Sequence, residues 1–124
     1  FFDLWLQAVV KHYNCELVSV GYIFCSDEYL KEMNKEHLDH DYYTDIITFN
    51  YNDNLSLNAE MFISYDRVVE NANDFGNGNI VDELHRVVVH GLLHCIGYND
   101  KSEGDKLEMT KQEDICLEMR NSFT

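Results

Sequence analysis

Apolar residues recur along the chain with two spacings, and the switch between them predicts alternating helices and strands. Intervals of three and four residues indicate helices over residues 1–13, 26–35, 66–75, 80–96 and a last one after Ser102. Alternating apolar and polar residues, rich in β-branched and aromatic side chains, indicate strands over 17–24, 46–51 and 60–65. The order of these elements predicts one α/β (α+β) domain over residues 1–124, with a small mixed sheet of three or four strands.

Polar residues set the expected ends of these elements. Asp66 and Ser102 are expected to cap the helices that follow them, and the glycines within residues 76–79 to interrupt the chain. Residues 37–43 are polar and predict a loop. In the last helix the side chains expected to face the core are Leu107, Ile115 and Met119. The helical pattern begins at the first residue. Whether a further strand precedes Phe1 is left open.

The candidate metal-binding residues are concentrated between His90 and Asp100. His90 and His94 are four residues apart, so on a helix both imidazoles lie on one face and can bind one ion. Gly97 can adopt the left-handed conformation that ends a helix and reverses the chain. That reversal would return Asp100 as a third ligand, although Asn-Asp-Lys is also an ordinary turn sequence. Two imidazoles and one carboxylate with an open fourth position are typical of a catalytic zinc site.

The residue after the first histidine argues against the usual zinc-peptidase chemistry. Zinc peptidases with such a metal helix carry a general-base Glu at this point, and here the residue is Gly91. A glycine costs about 1 kcal/mol relative to alanine in a helix interior. Its presence therefore indicates a close approach of backbone or substrate beside the metal. Cys95 points about 100° around the helix from His94, so we expect it to be packed and not a ligand.

The motifs together resemble the YbeY endoribonucleases, whose signature is His-Gly-x-x-His-x-x-Gly-Tyr followed by a third ligand. The segment Thr44–Phe49 is similar to the family's Thr-Asn/Asp-x-x-Ser/Thr-Phe strand, and Glu60–Ser64 matches its next strand loosely. An acidic helix follows the metal motif, as in the family. The resemblance runs from about residue 17 to the C-terminus.

This resemblance implies a metal-dependent endoribonuclease that cleaves single-stranded RNA. It implies a role in maturation of ribosomal RNA, at the 3′ end of the small-subunit RNA, and in ribosome quality control, with the ribosome or ribosomal proteins as cytoplasmic partners. One Zn²⁺ ion, held by His90, His94 and Asp100, would polarise a phosphoryl oxygen and lower the pKa of a bound water to about 7. Whether that water or the 2′-OH of the RNA attacks is left open.

The sequence departs from the family pattern at two positions. The third ligand is Asp100 where most members have His, which makes the site less positive. Leu38 stands where the family commonly has Arg, six residues before Thr44. Arg86, one helical turn before His90 on the same face, is the candidate to supply that cation in catalysis. The alternative is that Arg86 forms a surface ion pair with one of two nearby acids, Asp82 or Glu83.

Other polar residues have both a functional and a structural interpretation. The resemblance makes Tyr43, Thr44 and Asp45 candidate substrate-binding residues, with tyrosines able to stack on bases. Thr44 and Thr48 are equally ordinary strand residues. Tyr42 and Tyr43 are as well suited to packing in the core as to stacking on bases. The histidines without ligand spacing, which we expect at the surface, are His12, His37, His40 and His85.

Composition changes the functional picture mainly through charge. The 124 residues carry a formal net charge of −14, which argues against a free-standing, tight nucleic-acid binder. The chain has no run of about 20 apolar residues, so no membrane partner is expected. The four cysteines show no metal-type spacing and are expected to be reduced. Two rival functions stay open: a non-catalytic ribosome-assembly factor with a structural zinc, and a zinc hydrolase of small substrates.

Overall fold

The described strands all lie within residues 16–64, and the chain beyond them is mainly helical. The computed structural model describes residues 2–38, 44–52, 55–74 and 78–123, with the side chains of residues 37 and 38 outside the description. The elements are α1 (Phe2–His12), β1 (Glu16–Cys25), α2 (Asp27–Leu38), β2 (Ile46–Asn50), β3 (Ser56–Ser64), α3 (Tyr65–Asp74), α4 (Ile80–Ile96), α5 (Glu103–Glu118) and a short 3₁₀ helix (Met119–Ser122). The predicted helix at residues 80–96 is confirmed to the residue.

The described strands form one mixed sheet in the order β1-β3-β2. β1 runs parallel to β3, and β2 runs antiparallel to it. The apolar residues of the central strand alternate toward the core, and the buried ones are Leu57, Ala59, Met61 and Ile63. Buried side chains of α1, α4 and α5 complete the same core. The predicted α+β class and the mixed sheet of three or four strands are both confirmed, with three strands among the described residues.

α4 lies against the core along most of its length. Its first turn is capped by Asn79, whose side chain accepts a hydrogen bond from the amide of Asp82. Its buried apolar residues are Val87, Val88, Val89, Leu92 and Leu93. At its last turn, Asn52 Nδ2 donates to the carbonyl of Cys95 at 3.1 Å, which satisfies one of the carbonyls left free at a helix end. The helix is therefore fixed at both ends.

Gly91 marks the closest approach between α4 and the sheet. A Cβ at this position would lie 2.9 Å from Thr48 Oγ1, 3.0 Å from Ile46 Cδ1 and 3.1 Å from Met61 Cε. The predicted close approach is therefore an approach of the sheet, and the glycine lets the helix settle directly on β2 and β3. This contact sets how far the metal-binding face of α4 stands from the sheet.

Three predicted boundaries were wrong. α2 continues to Leu38 instead of ending near Lys35, and β3 begins at Ser56 rather than at residue 60. The strand starts earlier because the alternation of buried residues already begins at Leu57, although polar neighbours made the segment resemble a turn. α3 begins at Tyr65, so Asp66 is not its cap. Ser64 Oγ accepts from the Arg67 amide instead, while Asp66 accepts from the backbone of α2 at Asp27.

The inward face of α5 also differs from the prediction. Leu107 is 73% exposed and Ile115 is 36% exposed, whereas the buried residues of this helix are Met109, Glu113 and Cys116. Met119 is half-buried in the 3₁₀ helix. The prediction was wrong because it assigned the inward face from apolar residues alone. The face of α5 that packs on α4 has an acid, Glu113, in its middle.

His85, expected at the surface, is buried. Its ring lies 5.0 Å from the ring of Trp5 and 5.4 Å from that of Phe2, measured between centroids. Arg120 donates to His85 Nδ1 at 3.0 Å and to Asp82 at 2.9 Å, which ties the 3₁₀ helix to α4. Burial and the Arg120 charge lower the pKa of His85. His12 is exposed as expected, and the side chains of His37 and His40 lie outside the described residues.

The cysteines behave as packed or half-buried thiols. All four are free, and Cys95 and Cys116 are buried. Burial raises the pKa of Cys95 to about 11, which keeps this thiol protonated at neutral pH. Cys95 is also absent from the group of ligand side chains described below. None of the helices in the described ranges combines the length and the apolar character that crossing a bilayer requires.

Candidate metal centre

Three predicted ligand side chains meet at the C-terminal end of α4. His90 Nε2 lies 3.0 Å from His94 Nε2, and Asp100 Oδ2 lies 3.3 Å from the first nitrogen and 3.4 Å from the second. The three atoms thus form a nearly equilateral triangle. Among the described residues these side chains form a group able to hold a metal ion.

Hydrogen bonds fix which nitrogen of each imidazole faces the triangle. His94 Nδ1 lies 3.0 Å from the carbonyl oxygen of Tyr98, and His90 Nδ1 lies 2.6 Å from Glu113 Oε2. A carbonyl and a carboxylate oxygen only accept hydrogen bonds, so each Nδ1 carries the proton. Both Nε2 atoms therefore present lone pairs to the same point as the Asp100 carboxylate.

This donor set fits a tetrahedral divalent cation. Three lone-pair atoms so close together repel one another unless a positive charge lies among them. Ligand atoms at the usual zinc distances are about 3.3–3.4 Å apart in a tetrahedral site, close to the observed edges of the triangle. Metal-binding histidines usually donate the N–H of their second ring nitrogen to a carboxylate or a carbonyl, as both Nδ1 atoms do here.

The turn at Gly97 brings Asp100 back to the helix. Gly97 has φ +124°, a conformation that side-chain-bearing residues rarely adopt, and its amide bonds to the carbonyls of Leu93 and His94. The amide of Tyr98 bonds to Leu93 as well. These bonds close the helix and reverse the chain, as the sequence predicted, so that residue 100 faces His90 and His94.

The ligands are reachable from solvent. The side chains of His90, His94 and Asp100 are 23%, 35% and 43% exposed. A structural zinc site is normally closed by four protein ligands, whereas this group has three and an open side. The geometry is therefore that of a site able to accept a substrate oxygen.

Nearly the whole chain is similar in sequence to the members of one protein family. A family model described as Endoribonuclease YbeY matches residues 1–121. The chain belongs to the YbeY family. The endoribonuclease YbeY of Cytophaga hutchinsonii is 47% identical over 117 residues, which cover 94% of this chain and 81% of the relative. The Bacteroides thetaiotaomicron endoribonuclease YbeY is 47% identical over 116 residues, which cover 94% and 84%.

A solved structure has a similar fold. The solution structure of TM1509 from Thermotoga maritima matches with a TM-score of 0.66 and 28% sequence identity, over 98% of this chain and 80% of that chain. The predicted resemblance to YbeY is confirmed. Relatives named as endoribonucleases favour the nuclease over the two rival functions, an assembly factor and a small-substrate hydrolase.

Arg86 has different partners from those that the sequence suggested. Its NH1 donates to Glu113 at 2.8 Å and its NH2 to Asp114 at 2.7 Å, both on α5. Its side chain stays 34% exposed. Asp82 is paired with Arg120 instead. Arg86 is thus joined to the candidate metal centre through Glu113, which contacts His90.

The predicted substrate-binding residues are only partly described. Asp45 lies directly before β2, and its charge interacts with those of His90 and Glu113. The hydroxyl of Thr44 donates to the carbonyl of Ile46 at 3.3 Å, a local bond at the strand entrance. Tyr42 and Tyr43 lie outside the described residues. The substrate-binding roles of Tyr43, Thr44 and Asp45 all stay predictions.

Negative groups crowd this part of the molecule. Burial raises the pKa of Asp45, and burial followed by the charges of Asp45 and Glu113 raises the pKa of Glu83. Burial alone would lower the pKa of His90, but the hydrogen bond and charge of Glu113 reverse the effect and raise it. A bound cation would relieve this crowding, which is a second way in which the site suits a metal ion.

Glu113 is a residue of the candidate site that the sequence interpretation missed. It belongs to α5, 23 residues after the histidine that it contacts, so no local spacing relates the two. One signal was available: Glu113 lies four residues after Met109 and three before Cys116, on a stripe where an apolar residue would be expected. A charged residue on such a stripe needs a buried partner.

Proposed function

We propose that this chain is a metal-dependent endoribonuclease that cleaves single-stranded RNA during maturation of ribosomal RNA. The observation that carries the proposal is the triangle of His90 Nε2, His94 Nε2 and Asp100 Oδ2, open on one side, in a chain of the YbeY family. The proposed ion is one Zn²⁺, because two imidazoles and a carboxylate at tetrahedral spacing suit it. When bound, such an ion polarises a phosphoryl oxygen and makes a nearby water more acidic.

The residues of the chain divide the remaining work. His90, His94 and Asp100 would hold the ion. Arg86 is proposed to supply positive charge to the phosphate as it gains charge, because its guanidinium remains partly exposed next to Glu113. Tyr43, Thr44 and Asp45 are proposed substrate contacts, supported for Asp45 by its electrostatic interaction with His90.

The charge of the molecule bears on where it works. A net charge of −14 leaves few cations for RNA phosphates, so binding to naked RNA should be weak. We propose that docking on the ribosome, through basic ribosomal proteins, brings the enzyme to its substrate in the cytoplasm. The 3′ end of the small-subunit RNA is the proposed cleavage region.

A nuclease assay with and without metal tests the function. Purified protein loaded with Zn²⁺ is expected to cut a single-stranded RNA oligonucleotide, to leave the matching duplex intact, and to lose activity on chelation. His94→Ala is expected to lose metal and activity while keeping its helical circular dichroism, because a three-ligand ion supports little of the fold. Metal analysis showing full zinc in that variant would remove the site from consideration.

Chelation also separates the nuclease from an assembly factor with a structural zinc. Loss of RNA cleavage in a protein that stays folded, with only a modest drop in its unfolding temperature, indicates a catalytic ion. Global unfolding on chelation indicates a structural one and contradicts the proposal.

A further inference from the structure

Glu113 carries a charge at a position surrounded by apolar packing. It is 7% exposed, and its neighbours on the same face of α5, Met109 and Cys116, are 2% and 0% exposed. Burying a carboxylate is costly unless hydrogen bonds and an opposite charge compensate for it. A buried acid here therefore needs a reason beyond packing.

Each oxygen of this carboxylate has one partner on α4. Oε2 lies 2.6 Å from His90 Nδ1, and Oε1 accepts from Arg86 NH1 at 2.8 Å. Arg86 extends the row to Asp114, whose Oδ1 accepts from NH2 at 2.7 Å. The side chain of Asp114 is 60% exposed. Among the contacts of the described residues, Asp114 has none with His90.

The two histidines of the centre are consequently held by different groups. His94 donates to a backbone carbonyl, whereas His90 donates to the Glu113 carboxylate, which Arg86 keeps in place. A carboxylate on Nδ1 fixes the tautomer and the ring orientation more firmly than a carbonyl does, and it makes Nε2 a stronger electron-pair donor.

We propose that Glu113 is a positioning residue for the metal centre: it orients His90, sets its Nδ1–H tautomer and strengthens its Nε2 as a ligand. The inference rests on the metal site of the proposed function. It adds a residue from a separate helix to a site whose ligands all lie between positions 90 and 100. It also makes the packing of α5 on α4 part of the machinery that holds the ion.

The chain offers a matched pair of variants to test this role. Glu113→Gln and Asp114→Asn each remove one negative charge from α5 and one charged partner from Arg86, but only Glu113 contacts His90. Zn²⁺ affinity is measured on the full chain by competition with a chromophoric chelator. Glu113→Gln is expected to bind zinc about 10–100-fold more weakly, and Asp114→Asn less than about threefold more weakly.

A spectroscopic readout accompanies the affinity measurement. In zinc-loaded protein the His90 Nδ1 proton, held in a short bond to a carboxylate, should give a slowly exchanging downfield signal. That signal should disappear in Glu113→Gln and persist in Asp114→Asn. Equal zinc affinities in wild type and Glu113→Gln, or equal losses in both variants, would overturn the proposal, since the effect would then be absent or merely one of net charge.

A shorter acid covers the case in which Glu113→Gln does not fold. Glu113→Asp keeps the charge and withdraws it by one methylene, so it should weaken zinc binding while circular dichroism remains native. Wild-type affinity in Glu113→Asp contradicts the proposal. Failure of the wild type to cleave RNA, with these zinc affinities as expected, would contradict the proposed function and leave the role of Glu113 standing.

Discussion

Asp100 is the proposed ligand that the sequence left most open. The structure places its Oδ2 within 3.4 Å of both histidine nitrogens, at the end of a turn that Gly97 fixes. The position of the residue is set by the backbone, so a different ligand side chain at the same point should still reach the ion.

The first residue-scale prediction exchanges that ligand. Asp100→His is expected to keep metal bound in a folded protein. Asp100→Ala should bind zinc on the order of 100-fold more weakly, because a four-ligand zinc site contributes about 10–16 kcal/mol and one ligand accounts for about a quarter of it. Zinc competition against a chelator measures both. If the two variants bind zinc equally, residue 100 is not a ligand.

His85 gives a prediction about acid stability. Its pKa is lowered, because the ring is buried and Nδ1 accepts from Arg120. A histidine with a lowered folded pKa adds stability above its ordinary pKa of about 6.5, and that stability is lost as the pH falls through the folded value. The free energy of unfolding should therefore fall from pH 7 toward pH 5.

The variant His85→Gln isolates this contribution. Glutamine can still accept from Arg120 but does not titrate, so its free energy of unfolding in urea should depend less steeply on pH than that of the wild type. Parallel pH profiles for the two proteins would show that His85 is not responsible for the acid sensitivity.

Among the elements, α4 combines the tightest packing with the chemistry. The Gly91 contact with Thr48, Ile46 and Met61 leaves no room for a methyl group. Gly91→Ala should gain about 1 kcal/mol in helix propensity and lose about 1–3 kcal/mol through overpacking, for a net destabilisation of about 1 kcal/mol. Urea unfolding measures the difference.

Two further variants control for this element-scale prediction. Gly104→Ala in α5, where the nearest atom to a new Cβ is Ser102 Oγ at 3.9 Å, should gain up to about 1 kcal/mol. Thr48→Ala should recover part of the loss when it is combined with Gly91→Ala, because Thr48 Oγ1 is the nearest obstacle. A stabilising Gly91→Ala would contradict the close approach of α4 to the sheet.

The sequence predicted the elements well where one periodic pattern was enough. The span of α4, the Ser102 cap and the Gly97 turn are local features, and all are confirmed. The start of β3, the inward face of α5 and the burial of His85 depend on which elements meet in space. Glu113 shows the limit most clearly, because its reason for being buried lies on another helix.

For the whole molecule, charge is the property that most affects encounters with RNA. A protein of net charge −14 repels a polyanion at low ionic strength, and salt screens that repulsion. The KM for a short single-stranded RNA should therefore stay level or fall as salt rises from about 20 to 150 mM, unlike that of a basic RNA-binding enzyme. A KM that climbs steeply with salt would indicate a cationic RNA track on this protein.

The short span between His90 and Asp100 has a consequence for the denatured chain. Because all three ligands lie within one brief segment, an unfolded chain can close a loop around the ion at little entropic cost. The denatured ensemble then competes for zinc, and an ion that binds both states shifts the unfolding equilibrium less than its native affinity suggests. Added zinc should raise the melting temperature only modestly, and the preference of zinc for the native state would come from α4, the Gly97 turn and the hydrogen bond that α5 provides.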